Sequence, residues 1–575
     1  MVLTKAIQEL HNILGNTNEQ NVAAQAKMLA TYNLSICTLD DVVQVIVPFI
    51  DKLLSHTKLR QDGLYILDNL LFKFPIELVH EKSTNWSNLC INNKPLTALQ
   101  LSVLIKLIQI CHGDKDFDNR LKQHLPEIVH TCLSKQPWDD LGKKLDCVTV
   151  CVNYYPKLLS PLRNEIENNL SFYLSGSYTQ DVIKQVGVLF HALQEVPVLN
   201  QSNVEQNWTN QFYKLCSTIH RLYDDVLNVS EFDRYNYNEK VAPFDEVYLA
   251  VFATDKVGEY LQRYRQLRNV VTFTNCMLEE KFSQPKKLKI SVILDVLQRG
   301  LAAESYEKRD PNSEYRIADM LQHQTDLIYL FQSLITCFNK QLLPLSVRIT
   351  KLILTCQERS RRECFPKNSA YQEALYELIR CWVMFSHNNA DVIPYDKIIS
   401  VIVQEITPVT EGNVLCLNKS TKSSTYTLPE MKNIIRTQRD TGRGLQIDEK
   451  GCTAIFGCLT SMMSTVDLEL DETNINILFQ ALVQIIESIQ NGNVSHPYTS
   501  VECVAALYKA FSSLFMQRCY RKRPFYELAI NILTDGQNCE ANGYNVTYVI
   551  VEAIHLINSM CRLVHNVDTQ NTSPV

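Results

Sequence analysis

Along most of the chain, apolar residues recur every three or four positions, the spacing that puts them on one face of an α-helix. Leu99, Val103, Leu104, Leu107, Ile108 and Cys111 form one such stripe. Trp208, Phe212, Leu215, Ile219, Leu222 and Val226 form a second. Ile475, Leu478, Phe479, Leu482, Ile485, Ile486 and Ile489 form a third. A fourth runs through Val42, Val45, Ile46, Phe49, Ile50 and Leu53, with Thr38 and Asp41 spaced as a capping box ahead of it. Strand patterns are few, and the alternation between Val392 and Val403 fits helical spacing as well. Turn-forming pairs such as Gly113-Asp114, Asn491-Gly492 and Asn542-Gly543 fall between the helical blocks. The pattern predicts an all-α protein, an α-solenoid of stacked helix pairs of the HEAT or armadillo kind, with no strict repeat period. One amphipathic helix cannot bury its stripe alone. Stacked pairs can, and they leave a long surface for partners.

Two segments break the pattern. Residues 228–246 are polar and Tyr-rich, and residues 411–450 form a longer polar stretch. Within the second, six Lys/Arg stand against two acids between Lys419 and Arg443. The expected organisation is therefore an N-terminal helical-repeat region (1–240), a central one (241–410), a polar basic loop (411–450) and a C-terminal helical-repeat region (451–575). A long polar loop inside a helical array is either a solvated insertion or a binding element.

Composition narrows the function classes. Of 575 residues, 46% are hydrophobic and 21% charged, which excludes wholesale disorder. Gly (16) and Pro (19) are scarce, as suits a helix-rich chain rather than one built on tight β-turns. The net charge of −6 provides no global attraction to nucleic acid or to an acidic membrane, so any such contact needs a local patch. The start, MVLTKAIQELHNILGN, lacks a signal-peptide apolar stretch, and no run of ~18 apolar residues occurs, so the expectation is a soluble intracellular protein with no membrane partner. The 19 Cys lie scattered through apolar runs without a Cys-x-x-Cys, and read as small buried thiols. Cys147 and Cys151, four apart, share a helix face but lack further ligands nearby in sequence.

No phosphate-cradling loop, no H-E-x-x-H and no G-x-S-x-G is present, and the 13 His are dispersed. The sequence therefore assigns no catalytic residue, no cofactor and no metal ligand, and points to a protein that is not an enzyme. Basic clusters are the remaining chemical feature. Arg263, Arg265 and Arg268 form one; Lys286, Lys287 and Lys289 another; Arg359, Arg361 and Arg362 a third. Each reads as a solvated helix end, where cations complement the dipole. The cluster Arg518, Arg521, Lys522 and Arg523 is denser and has little nearby acid, and with Lys432, Arg436, Arg439 and Arg443 of the basic loop it is the candidate contact for RNA or an acidic partner. Leu67, Leu70 and Leu71 match L-x-x-L-L, which can enter a partner's apolar groove but is also what a core stripe looks like.

Several blocks, taken together, resemble one family. They are residues 59–92, residues 98–111 followed by LPEIVHTCLS, and residues 205–227, with Trp, Cys, His and Leu-Tyr in that order. Further on come PKKLKISVILDVLQRGLAA (285–303), residues 326–356 and residues 371–385. In order and spacing they are similar to the Rix-type scaffolds of pre-ribosome maturation, whose animal members are called proline-, glutamic acid- and leucine-rich protein. The resemblance covers most of residues 50–390. It implies a non-enzymatic scaffold of nucleolus and nucleoplasm, in a complex with a WD-repeat protein and a second helical-repeat protein. That complex would sit on the pre-60S particle, support processing of the second internal transcribed spacer and help recruit a giant AAA-type remodelling ATPase. Pairing of two copies around the WD-repeat protein is also implied. Vertebrate members carry a long Pro- and Glu-rich tail, whereas this sequence ends at HNVDTQNTSPV, so functions placed in that tail are not carried over.

Two other readings compete. An acidic α-solenoid with an extended partner surface also describes a nuclear transport receptor or adaptor. A helical-repeat enzyme or enzyme-regulatory subunit would need titratable groups gathered in a closed pocket.

Overall fold

The computed structural model describes residue 27 and residues 46–92, 96–134, 140–197, 204–226, 256–282, 285–303, 313–361, 369–386, 393–407, 448–464, 472–492, 497–517, 523–538 and 544–571. Among the described residues there are helices, short 3-10 turns and connections, and no strand. No described helix is long and apolar enough to cross a membrane. The chain folds as two compact units, Met1–Val296 and Leu297–Val575. The expected boundaries near 240 and across 411–450 fall on residues outside the described set, apart from the last few of the second.

The first unit contains α1 (Val47–Ser55), α2 (Arg60–Leu70), α3 (Ile76–Ile91), α4 (Ala98–Cys111) and α5 (Lys115–Leu133). It continues with α6 (Leu141–Tyr154), α7 (Arg163–Ser175), α8 (Gln180–Leu193), α9 (Val204–Val226) and α10 (Lys256–Glu279). The unit boundary falls inside α11 (Ile290–Ala302). Helices α2, α4, α6, α8 and α10 pack successively on one another as one row. The intervening α3, α5, α7 and α9 lie against that row as a second layer.

The second unit repeats the scheme with α12 (Ser313–Phe338), α13 (Ser346–Ser360), α14 (Ser369–Ser386), α15 (Tyr395–Ile406) and α16 (Glu449–Ser464). It ends with α17 (Glu472–Gln490), α18 (Val501–Ser513), α19 (Arg523–Gln537) and α20 (Tyr544–Asn571). Here α12, α14, α16, α18 and α20 form the continuous row, and α13, α15, α17 and α19 the second layer. Within each unit this is the helix-pair stacking expected of a solenoid.

The stripes read from the sequence are the core. Trp208, Phe212, Leu215, Ile219 and Leu222 of α9 are fully buried, and every residue of the third stripe is buried in α17. Each such side chain contributes ~1.5–3 kcal/mol on leaving water, which is what orders these helices. In α4, Leu101 and five of the six expected stripe residues are fully buried while Leu99 is half-buried. Its start is fixed by a capping box, in which the Gln100 backbone N–H donates to Thr97 Oγ1 at 3.3 Å and the Thr97 N–H donates to Gln100 Oε1 at 2.8 Å. Asp114 caps α5, its Oδ1 accepting from the Asp116 and Phe117 backbone N–H groups at 2.9 and 3.1 Å. Gly113 (φ +96°) and Gly492 (φ +74°) hold left-handed turns where the sequence signals them. The ambiguous stretch near residues 392–403 is helical, and α15 buries eight residues, Glu405 and seven hydrophobic ones. Thr38, Asp41, Val42 and Val45 lie outside the described residues.

Candidate docking surface

Of the residues singled out by sequence for RNA or partner contact, Lys432, Arg436, Arg439, Arg443, Arg518, Arg521 and Lys522 lie outside the described residues. Arg523 opens α19, with its side chain also outside them. The L-x-x-L-L leucines are interior: Leu67, Leu70 and Leu71 are each 0% exposed, so they belong to the core of the first unit.

The other basic clusters do not behave as uniformly solvated helix ends. Lys286 is drawn inside, its side chain 4% exposed, and pairs with Glu195 at 2.6 Å. Arg359 is 4% exposed and donates from Nη1 to the Leu301 carbonyl and from Nη2 to the Ala302 carbonyl, at the end of α11. Lys287, Lys289 and Arg265 do face solvent. Lys286 is held by a carboxylate, whereas Arg359 answers a need of the helix end itself. The last carbonyls of a helix have no partner within it, and where the end is covered by the next repeat only a long side chain can supply a donor.

That device recurs. Arg163 of α7, 2% exposed, donates to the Val196 carbonyl beyond α8 and to Gln194 Oε1 at 2.7 Å. The Gln194 amide donates in turn to the Phe190 carbonyl at 3.1 Å, and the Asn207 amide donates to Gln194 Oε1 at 3.1 Å. The single amide of Asn269 on α10 meets the carbonyls of Tyr173, Leu174 and Gly176 at 3.1 Å each, closing α7. Gln100 closes α3 through the Cys90 carbonyl, Gln517 closes α16 through Met463, and the Tyr498 hydroxyl closes α15 through Ile406. These helix ends are thus closed by side-chain donors from other elements rather than by left-handed glycine caps. The same bonds fix each repeat against the next and hold the outer surface in shape.

On that surface, pairs cross between consecutive helices of the first unit. Lys106 of α4 meets Asp68 of α2 at 2.8 Å, and Lys184 of α8 meets Glu279 of α10 at 3.6 Å. Arg265 donates to the Ser177 hydroxyl at 2.9 Å. Three exposed apolar side chains lie between the middle of α2 and the start of α3. Tyr65 is 38%, Phe72 60% and Ile76 59% exposed, and Lys106 Nζ lies 5.7 Å from the centroid of the Phe72 ring. A rigid corner with exposed aromatic and aliphatic groups beside a held cation has the chemistry of a protein contact. Sequence reasoning passed over Phe72 and Ile76, which carry no motif. Their signal would have been two apolar residues out of phase with the Leu67–Leu71 stripe.

The inner chemistry is that of a support. Among the described residues no group of three or more His, Cys, Asp or Glu is placed to hold a metal ion. Cys147 and Cys151 are free, buried thiols on one face of α6. Burial pushes the Cys90 thiol up to about 12 and the Cys111 thiol up to about 11, so neither is ionised or nucleophilic near neutrality.

No protein-family model and no curated protein matches this chain. Among solved structures, a chain of the Rix1 subcomplex in a Rix1-Rea1 pre-60S particle aligns with a TM-score of 0.58 at 13% identity, over 92% of this chain and 96% of that one. Importin beta aligns with a TM-score of 0.43 at 9% identity, over 94% of this chain and 62% of that one. A chain of the Kap95:Nup1 complex aligns with a TM-score of 0.39 at 11% identity, over 97% and 63%. At 13% identity the first likeness establishes a shared all-helical repeat fold along nearly the whole of both chains.

Proposed function

We propose that this chain is a non-enzymatic docking scaffold in maturation of the large ribosomal subunit, working in nucleolus and nucleoplasm. The observation that carries the reading is its end-to-end fold agreement with a chain of the pre-60S Rix1 subcomplex. The colinear sequence blocks between residues 50 and 390 agree with the same family. In this reading the cross-helix caps hold the repeats rigid, and partners dock on the outer surface. Those partners are a WD-repeat protein, a second helical-repeat protein and an AAA-type remodelling ATPase, with a second copy of this chain around the WD-repeat protein. The basic residues Lys432, Arg436, Arg439 and Arg443, with Arg518, Arg521, Lys522 and Arg523, supply contacts to pre-ribosomal RNA.

Affinity purification of the tagged chain tests the reading. It should recover a WD-repeat protein and large-subunit precursor RNA, and depletion should make precursors retaining the second internal transcribed spacer accumulate. An unchanged precursor pattern together with absence of a WD-repeat protein from the purified complex overturns it. Reversing Lys432, Arg436, Arg439 and Arg443 to Glu should weaken particle association and flatten its salt dependence. If both are untouched, those residues do not contact RNA.

A further inference from the structure

The last turn of α15 carries a carboxyl group that docking does not use. Glu405 is 5% exposed, and its Oε2 accepts the hydroxyl of Tyr376 on α14. Among the described residues it has no ion pair. The basic side chains of α13 and α14 that follow are engaged elsewhere. Arg359 is committed to the Leu301 and Ala302 carbonyls, and Arg380 pairs with Glu377 at 2.7 Å. Arg361, beyond the end of α13, donates to Gln404 Oε1 while remaining close enough to act on Glu405 through space. Cys458 of α16 and the Gln357 amide of α13 face the Tyr376 phenol, and Tyr498 is spent on the Ile406 carbonyl. The acids of α17, Glu472 and Glu487, point to solvent.

A buried carboxyl with no direct ion pair, in the last turn of a helix whose dipole opposes negative charge, favours its protonated form. Burial pushes the Glu405 carboxyl up to about 7, against the opposing pull of the Tyr376 hydroxyl and Arg361. Eleven residues separate Thr407 from the basic stretch that begins at Lys419.

We propose that Glu405 and Arg361 form a proton-sensitive latch at the C-terminal end of α15. Protonated, Glu405 stays inside against Tyr376 while Arg361 holds Gln404. When its proton passes to water, the carboxylate draws Arg361 away from Gln404 and the last turn of α15 loosens. The folded group titrates higher than the ordinary 4.5 of a free carboxyl, so the turn is firmest below about 4.5 and is loosened as pH rises to about 7.

Hydrogen exchange of the full-length chain tests this on backbone amides 395–407, followed from about pH 5.5 to about pH 8 and corrected for intrinsic exchange. The parent chain should lose protection about ten-fold or more over that range. Glu405→Gln, neutral at every pH, should show a flat profile, and Arg361→Ala should move the parent transition to higher pH. If Glu405→Gln follows the parent profile, or Arg361→Ala leaves its midpoint in place, the latch is refuted. The readout needs neither RNA nor a partner, so it stands apart from the scaffold reading.

Discussion

Trp208 of α9 donates its indole N–H to Nδ1 of His191 on α8, 3.4 Å away, so that ring nitrogen must be unprotonated. The proton of His191 then sits on Nε2, which faces the Lys281 carbonyl at 3.2 Å. Phe282 closes over the imidazole with ring centroids 5.5 Å apart. Burial lowers the His191 pKa from the ordinary 6.5, ahead of the raising influence of the Lys281 carbonyl. A second proton would have to enter Nδ1 against an N–H that already points at it.

It follows that acid loosens the first unit. The unfolded histidine takes up a proton that the folded one resists, so stability is full above about pH 6.5 and declines as pH falls. Hydrogen exchange in α8 and α9 should speed up on moving from about pH 7.5 to about pH 5.5. His191→Asn, which keeps an acceptor for Trp208 and does not titrate, should suppress the change. The same exchange in both proteins would show that His191 is not the sensor.

The buried arginines should matter far more than the exposed one. Arg163→Ala strands the Val196 carbonyl, and Arg359→Ala strands the Leu301 and Ala302 carbonyls. Each should cost about 1–3 kcal/mol in denaturant unfolding. Arg265→Ala removes a solvent-exposed bond to Ser177 and should stay within about 0.5 kcal/mol of the parent.

Two glycines within helices should respond in opposite directions to a methyl group. At Gly187 an added Cβ would meet Cys276 Sγ at 2.9 Å and its Cβ at 3.1 Å, where α8 crosses α10. Gly187→Ala should destabilise by about 1–3 kcal/mol. At Gly457 in α16 an added Cβ meets nothing within 4 Å, so Gly457→Ala should stabilise by roughly 0.5–1 kcal/mol through helix propensity. Thermal unfolding of the two variants separates the effects by sign.

Partner capture and stability should separate at the α2–α3 corner. Leu67→Ala empties a fully buried position and should cost about 2–5 kcal/mol. Phe72→Ser with Ile76→Ser alters side chains about 60% exposed, so the melting temperature should hardly move while recovery of co-purifying proteins falls. Unchanged recovery would remove this corner from the docking surface.

The helices were legible because burial imposes its own period. The α9 and α17 stripes read from spacing alone are buried almost residue for residue. The L-x-x-L-L leucines read as core and are core, since a helix face that meets a neighbour must be apolar whatever motif it spells. The basic clusters were less legible. Lys286 and Lys287 are adjacent in sequence, yet one is inside against Glu195 and the other outside. Nothing in a run of lysines says which one a neighbouring helix will cover.

Local pattern settled which segments become helices and which face of each turns inward, because those depend on residues three and four apart. It also settled that the described segments would be helical rather than sheet-forming. Which carbonyl Arg163, Asn269 or Arg359 would cap, and that Glu405 would lie beside Tyr376 with no cation of its own, depended on partners 29 to 96 residues apart in the chain. Such partners are selected by the packing of one repeat on the next. The unpaired donors and acceptors at helix ends then take whatever group that packing brings within reach.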